Sequence, residues 1–499
     1  MAEAPSQGTG RLAGGKSPSY LRAVNEPETR ASWFTARYML ASDIAYVLSA
    51  VELGATPRDA ASKLLPALLS LLSDADNIDT ARPLGDVVAQ REAWMAERAG
   101  RESTAWLHLG RNRGESLRSF LPRMFFRETL HAAGQANARL ISNLVGRSET
   151  LLEAISPNYH HLQHSGFTTV GEYLLSWAVV FERHLERFEQ VDGRLDKAPP
   201  PFGGRKILND LYEKVSRRLG FSNRARLRRD AIWVHDQFTE PFFALSLLAV
   251  DLARLAQDLR VWMSPEFGFF QPADEHAGGS SALPHAKVPF GLQAVIGGAM
   301  IAATRLAGEM VASSNLSEGS EAIYQSASLY GLAQDIVAFT HYMADVIEKA
   351  RFDLDEFRRK ATFDCAGSSE AHDRLVYDFH VPFRTGHRVL GAMVRNHYLN
   401  ETPSDLNAPL ESELHRKFDI DQNEIMDIVL GKQLWPTTFD LPMLRETQEH
   451  YRQKAQAAVK KLEGDSIPER AVKRLLDEAN AWLAGDQTAD KTTQSGRKK

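Results

Sequence analysis

Three groups of residues have the types and spacing to do chemistry. The first is a pair of serines in a glycine-rich loop, Gly278-Gly279-Ser280-Ser281, followed by His285 and Lys287. A serine hydroxyl is a poor base, but backbone amides in such a loop and a nearby lysine favour its alkoxide. Read alone, the same stretch is better taken as a flexible linker. The second group is Tyr159-His160-His161-Leu162-Gln163-His164. Imidazole titrates near neutrality and can give or take a proton, although such a run in isolation is more often structural. His160 and His164 are four apart and would hold zinc if the stretch were helical, but no carboxylate or thiolate lies nearby to complete a set. The third group is Arg111-Asn112-Arg113. Guanidinium forks suit a dicarboxylate and Asn112 can donate to one; buried arginines also pin loops.

The elements that must position these groups are helical. Leu245, Leu248, Leu252, Leu255, Leu259 and Trp262 recur in alternating steps of three and four. That is the seam of a long bundle helix. It stops at Ser264-Pro265, where the proline cannot continue the hydrogen-bond ladder. A second helix, Gln293 to Ala312, is rich in glycine and alanine, which suits close packing on several sides. Further helical stretches cover 113–145, 167–190, 326–350 and 444–462. The loop from Gln271 to Pro289 is long, polar and glycine-rich and lies between two apolar helices, where functional lids occur. Leu195 to Gly204 and Asn400 to Pro409 read as breaks.

Composition excludes several classes. The 499 residues carry a formal charge of -5, with 43% hydrophobic and 25% charged residues, so nucleic acid is not an obvious partner. The single cysteine, Cys365, excludes an internal disulfide and a thiolate zinc cluster, and fits a reducing, cytoplasmic setting. The best apolar run, Phe242 to Val250, is cut by Asp251 and too short to span a bilayer. Residues 1–18 and 486–499 are polar and expected to be disordered.

Several blocks carry a family resemblance. Glu240-Pro241-Phe242-Phe243 and the helix after it end in Ser264-Pro265-Glu266-Phe267-Gly268-Phe269. Pro157-Asn158-Tyr159-His160-His161-Leu162-Gln163 is similar to Pro-Gly-Tyr-Thr-His-Leu-Gln, and Leu107-His108-Leu109-Gly110-Arg111-Asn112-Arg113 to Leu-His-Thr-Gly-Arg-Ser-Arg. Gly279-Ser280-Ser281-Ala282-Leu283-Pro284 is similar to Gly-Ser-Ser-x-Met-Pro, and Val381-Pro382-Phe383-Arg384 with His387 and Gly391 matches a C-terminal domain entry. In this order the blocks resemble the fumarase/aspartase superfamily, and argininosuccinate lyase within it.

The resemblance implies an all-α, three-domain fold with a long central helix bundle, assembled as a homotetramer whose sites are shared between chains. The expected limits are 19–112 for the N-terminal domain, 113–380 for the bundle and 381–485 for the C-terminal domain. It implies β-elimination of fumarate from a succinate-like, N-substituted aspartate, without metal or cofactor. Ser280 matches the family's base and His161 its acid. Arg111, Asn112, Arg113, Tyr159, His160, Gln163, Ser281, His285 and Lys287 fall at expected substrate contacts.

The sequence departs from the family at working positions. Pro284-His285-Ala286-Lys287-Val288-Pro289 stands for Pro-Gln-Lys-Lys-Asn-Pro, so the first lysine becomes Ala286 and the asparagine Val288. The glutamate partner of the histidine becomes the neutral Gln293, which leaves His161 less readily protonated. The segment that reads the arginine end of argininosuccinate is absent; residues 315–328 replace it. Argininosuccinate is therefore not the expected substrate. The alternative is a catalytically degenerate tetrameric scaffold or binding protein.

Overall fold

The computed structural model describes residues 16–27, 33–74, 87–111, 120–200, 206–227, 230, 235–314, 322–362, 364–399, 405–432 and 440–496. Helices dominate, in the order α1 (Ala36–Glu52), α2 (Arg58–Ser73), α3 (Val87–Ala99), α4 (Leu121–Glu149), α5 (Val170–Leu195), α6 (Lys206–Arg218), α7 (Asp236–Trp262), α8 (Phe290–Ser313) and α9 (Ala322–Lys349). The chain continues through α10 (Leu354–Ala361), α11 (Ser368–Tyr377), α12 (Phe383–Tyr398), α13 (Asn407–Leu414), α14 (Gln422–Val429), α15 (Leu441–Lys461) and α16 (Ile467–Gly496). The end of the chain, expected to be disordered from Asp486, is thus helical as far as Gly496.

The leucine seam forms as its spacing dictates. Leu245, Leu248, Leu252, Leu255 and Leu259 of α7 are all fully buried, each burial stabilising by about 2 kcal/mol. α7 packs on α5, α8 and α9, and α4 packs on α5, α9 and α15. Pro265 ends α7, and the chain turns through Gly268 at φ +69°, so that Phe269 N–H bonds back to Trp262 O at 2.9 Å. α5 starts at Thr169, whose hydroxyl accepts from Glu172 N–H at 3.0 Å, satisfying one of the amides a helix start leaves open. A smaller core in the C-terminal part joins Leu375, Val389, Leu410, Ile425 and Val429.

α8 behaves differently. Gly291 and Gly298 let it approach α9: a Cβ at either would lie 2.1 Å from the Tyr342 ring or 2.2 Å from the Phe339 ring. The opposite face is bare, with Met300 67%, Ile301 59%, Met310 60% and Val311 74% exposed. Within the chain α8 is thus contacted by both α7 and α9, while its outer face stays uncovered. Among the described residues, α8 is the one helix long and apolar enough to cross a membrane by length and composition. Its apolar content lies in small residues, which is why Phe242 to Val250 read as the stronger run.

Short ribbons complete the fold. β1 (Ile155–His160) pairs antiparallel with β2 (Gln163–Thr169), and β3 (Lys197–Ala198) pairs parallel with β4 (Asn223–Arg224). β5 (Phe270–Gln271) pairs with β8 (Arg351–Phe352), and β6 (Gly278–Gly279) with β7 (Lys287–Val288), both antiparallel. The first and last of these ribbons in that order carry the residues singled out by sequence.

Candidate active site

The histidine run is a β-hairpin. His160 and His164 lie on paired strands, so the helical zinc geometry does not arise, and no metal-holding group of His, Cys, Asp or Glu occurs among the described residues. Tyr159 pairs with His164 and His160 with Gln163, which leaves His161 and Leu162 as a two-residue turn at φ +55° and +60°. That turn type normally takes Asn-Gly, and left-handed backbone costs a side-chain-bearing residue about 1–2 kcal/mol. The turn is held from below. Tyr159 Oη and His164 Nε2 are 3.1 Å apart, and the Tyr159 ring meets Phe267 and Phe269 edge-on or tilted. Burial, with Glu356 and Asp364 nearby, pushes the Tyr159 phenol up to about 12. Tyr159, expected to face substrate, is thus turned into the fold and engaged by His164. His160, His161 and Gln163 are exposed, the two imidazole rings 4.3 Å apart and edge-on.

The serine loop is a second hairpin, closed by β6 and β7. Ser280 Oγ accepts from the backbone N–H groups of Ala282 at 3.3 Å and Leu283 at 3.0 Å. Two amides aimed at one oxygen favour its anionic form. Gly278 is required by packing: a Cβ there would lie 2.2 Å from the Phe290 ring, whereas a Cβ on Gly279 would meet open space. Ser281 and His285 are exposed. Lys287 Nζ donates to Pro272 O at 2.6 Å and to Asp274 Oδ1 at 2.8 Å, which holds the Asp274 carboxyl below its usual range. Tyr342 Oη donates to His276 O at 2.8 Å, and Lys349 pairs with Glu275. The loop expected to be a long flexible lid is therefore tied at both ends to its own hairpin and to α9.

Arg111 is not presented to solvent. It is buried; its Nη1 donates to Asp43 Oδ1 at 2.7 Å, and its guanidinium lies 4.6 Å from the centre of the Tyr46 ring. Arg91 Nη1 shares the same Asp43 oxygen at 3.1 Å. Arg111, expected as a substrate contact, instead closes a buried ion-pair network. Asn112 and Arg113 lie outside the described residues. Sequence reasoning missed Asp43 and Arg91. A lone aspartate within the apolar run from Met39 to Leu48 was the available signal, because a charge in such a stretch demands a partner.

The bundle sets these groups apart. Tyr212 touches both Gly110 O and the Phe120 ring, so Arg111 sits beside the start of α4. The histidine hairpin follows the end of α4. Its 29 residues span about 43 Å. The serine loop sits at the hairpin's end of the bundle, just beyond the end of α7, where Trp262 meets Tyr173 at the start of α5. Among the described residues, no hydrogen bond or ring contact joins Ser280 to His161 within one chain. One chain thus carries its arginine segment and its two hairpins at opposite ends.

Comparison with known proteins fits this architecture. Argininosuccinate lyase of Methanothrix thermoacetophila is 28% identical over 367 residues, covering 71% of this chain and 72% of that protein. Argininosuccinate lyase of Methanocorpusculum labreanum is 26% identical over 452 residues, covering 88% of each. Among solved structures, an EDDS lyase variant with bound fumarate superposes with a TM-score of 0.77 at 18% identity, over 97% of this chain and 98% of that one. The 3-carboxy-cis,cis-muconate lactonizing enzyme of Pseudomonas putida gives 0.62 at 17% identity, over 93% and 100%. These two share the fold. A lyase family model matches residues 45–303, more than half of the chain, and the protein belongs to that lyase family.

Proposed function

We propose that this lyase cleaves a carbon–nitrogen bond in a succinate-like, N-substituted aspartate and releases fumarate and an amine. The observation that carries the reading is the Ser280 hydroxyl with two backbone amides pointed at it. In this reading the Ser280 alkoxide takes the proton beside a carboxylate, and fixed donors stabilise the dianion that develops. The nitrogen leaves as His161, or a group it relays to, supplies a proton. Exposed Ser281, His285, His160 and Gln163 are available to contact substrate, and the Arg111 segment contributes Asn112 and Arg113. Argininosuccinate itself is not the substrate, because its arginine-reading segment is missing from the sequence.

The site is completed by neighbouring copies in a homotetramer. Support comes from the 43 Å scale separating the arginine segment from the hairpins, which no single small molecule bridges, and from the bare apolar face of α8. Beside that face a groove of about 470 Å³, lined by Trp177, Val250, Ala253 and Met300, lies open for a partner helix. A cytoplasmic setting is in keeping with one buried, unpaired cysteine.

The test is direct. Purified protein incubated with a panel of N-substituted aspartates should develop the absorbance of fumarate with at least one of them. Ser280→Ala should abolish it, by about a thousandfold or more as expected for an essential base, with oligomeric state and helix content unchanged. A second reading, a binding protein without activity, is favoured by one observation: Lys287 is occupied by Asp274 and Pro272 O. It predicts no turnover with any member of the panel and no effect of Ser280→Ala.

A further inference from the structure

Away from both hairpins, α4, α5 and α15 enclose a crevice of about 440 Å³. That is within the range of pockets that take small organic molecules. The void has a sequence cause. Gly134 on α4 and Ala457 and Ala458 on α15 bring no side-chain bulk to a three-helix contact. Leu130, Leu185, Phe188 and Leu462 supply an apolar floor.

The rim is charged, and its pairing is unequal. Lys454 Nζ binds Glu182 Oε1 at 2.9 Å and Lys461 Nζ binds Glu189 Oε1 at 2.8 Å. Arg127 is taken by Asp192 at 2.8 Å and Asp196 at 3.0 Å. These three cations are thereby matched, and His131, which also lines the crevice, engages Gly464 O through Nε2 at 3.0 Å. Glu186, one turn from Glu182 on the same helix, lines the crevice with no direct ion pair among the described residues, although its charge acts on Lys454 from a distance. An incoming anion would meet neutralised cations and an excess carboxylate. An incoming cation would meet that carboxylate at the mouth and hydrocarbon beneath it.

We propose that this crevice is a binding site for a small amphipathic amine, an aryl- or alkyl-ammonium ion whose apolar body rests on Leu185 and Phe188 and whose charge pairs with Glu186. The site stands independently of the lyase reading.

The experiment is titration calorimetry on the full chain with three probes of one shape: tryptamine, the neutral tryptophol and the anionic indole-3-propionate. Tryptamine should bind more tightly than either. Glu186→Gln, at an exposed position, should weaken tryptamine about tenfold, the scale of one charge-assisted hydrogen bond, and bring it level with tryptophol. Ala458→Leu should fill the void and remove binding of all probes, with the melting temperature of the unliganded variant showing that the chain still folds. Equal binding of the three probes overturns the proposal. So does tryptamine binding that survives both substitutions, or no binding at all.

Discussion

At the scale of single residues, the clearest feature is a carboxylate asked to do more than one job. Asp43 is fully buried, and one of its oxygens accepts from both Arg91 and Arg111. Removing its charge would leave two guanidinium groups buried against a neutral amide. Asp43→Asn should therefore cost about 3–5 kcal/mol in urea unfolding, the range for breaking a buried pair from one side. Little of this was legible in the sequence. The arginine was visible and its likeness to a family motif was visible. What it faces depends on a helix 68 positions earlier in the chain, and no local pattern encodes that. The same holds for Tyr159. Its motif pointed to substrate, whereas the hairpin register turns it toward His164 and Phe267. His161 and Ser280 stand in exposed or half-exposed turns, in keeping with the chemistry their types allow.

At the scale of elements, periodicity was a good guide and small residues a poor one. The α7 seam and its proline stop follow directly from spacing, since leucines three and four apart must share one helix face. α8 was legible as a helix, but glycine and alanine do not say which side is covered. Contacts between elements also carry a pH dependence. His184 on α5 is fully buried, its Nε2 3.0 Å from Asp251 Oδ2 on α7, while Arg187 donates to its Nδ1. That pattern fixes the neutral ring with its proton on Nε2. Desolvation lowers its pKa from an ordinary 6.5 despite the carboxylate, and Asp251, also lowered, keeps its charge through Arg254 as well. The sign follows. Above 6.5 the ring is neutral folded and unfolded, and nothing is lost. Below 6.5 the unfolded chain takes a proton that the folded one resists, so stability falls as pH drops. The melting temperature should decline on acidification below that point, and His184→Asn should flatten the decline.

At the scale of the whole molecule, one chain carries the arginine segment at one end of the bundle and both hairpins at the other, and the proposed site needs a second copy to bring them together. Light scattering should give four times the mass of a single chain; a monomer at all concentrations would remove the shared-site reading while leaving the fold intact. The helical bundle was readable from the leucine spacing and the order of the motifs, and a separate small core in the C-terminal part fits a further division of the chain. The proposed assembly rests on an indirect sign, the apolar outer face of α8.

The bare strip along α8 has a consequence for how such a protein fails. Methionine, isoleucine and valine side chains left exposed among the described residues would, in the proposed tetramer, stay hidden only while other copies are close by. Dilution, more than heat, is then the natural stress: the melting point should drop as protein concentration falls. A freshly synthesised chain is at its most adhesive in the interval before it meets its first companion.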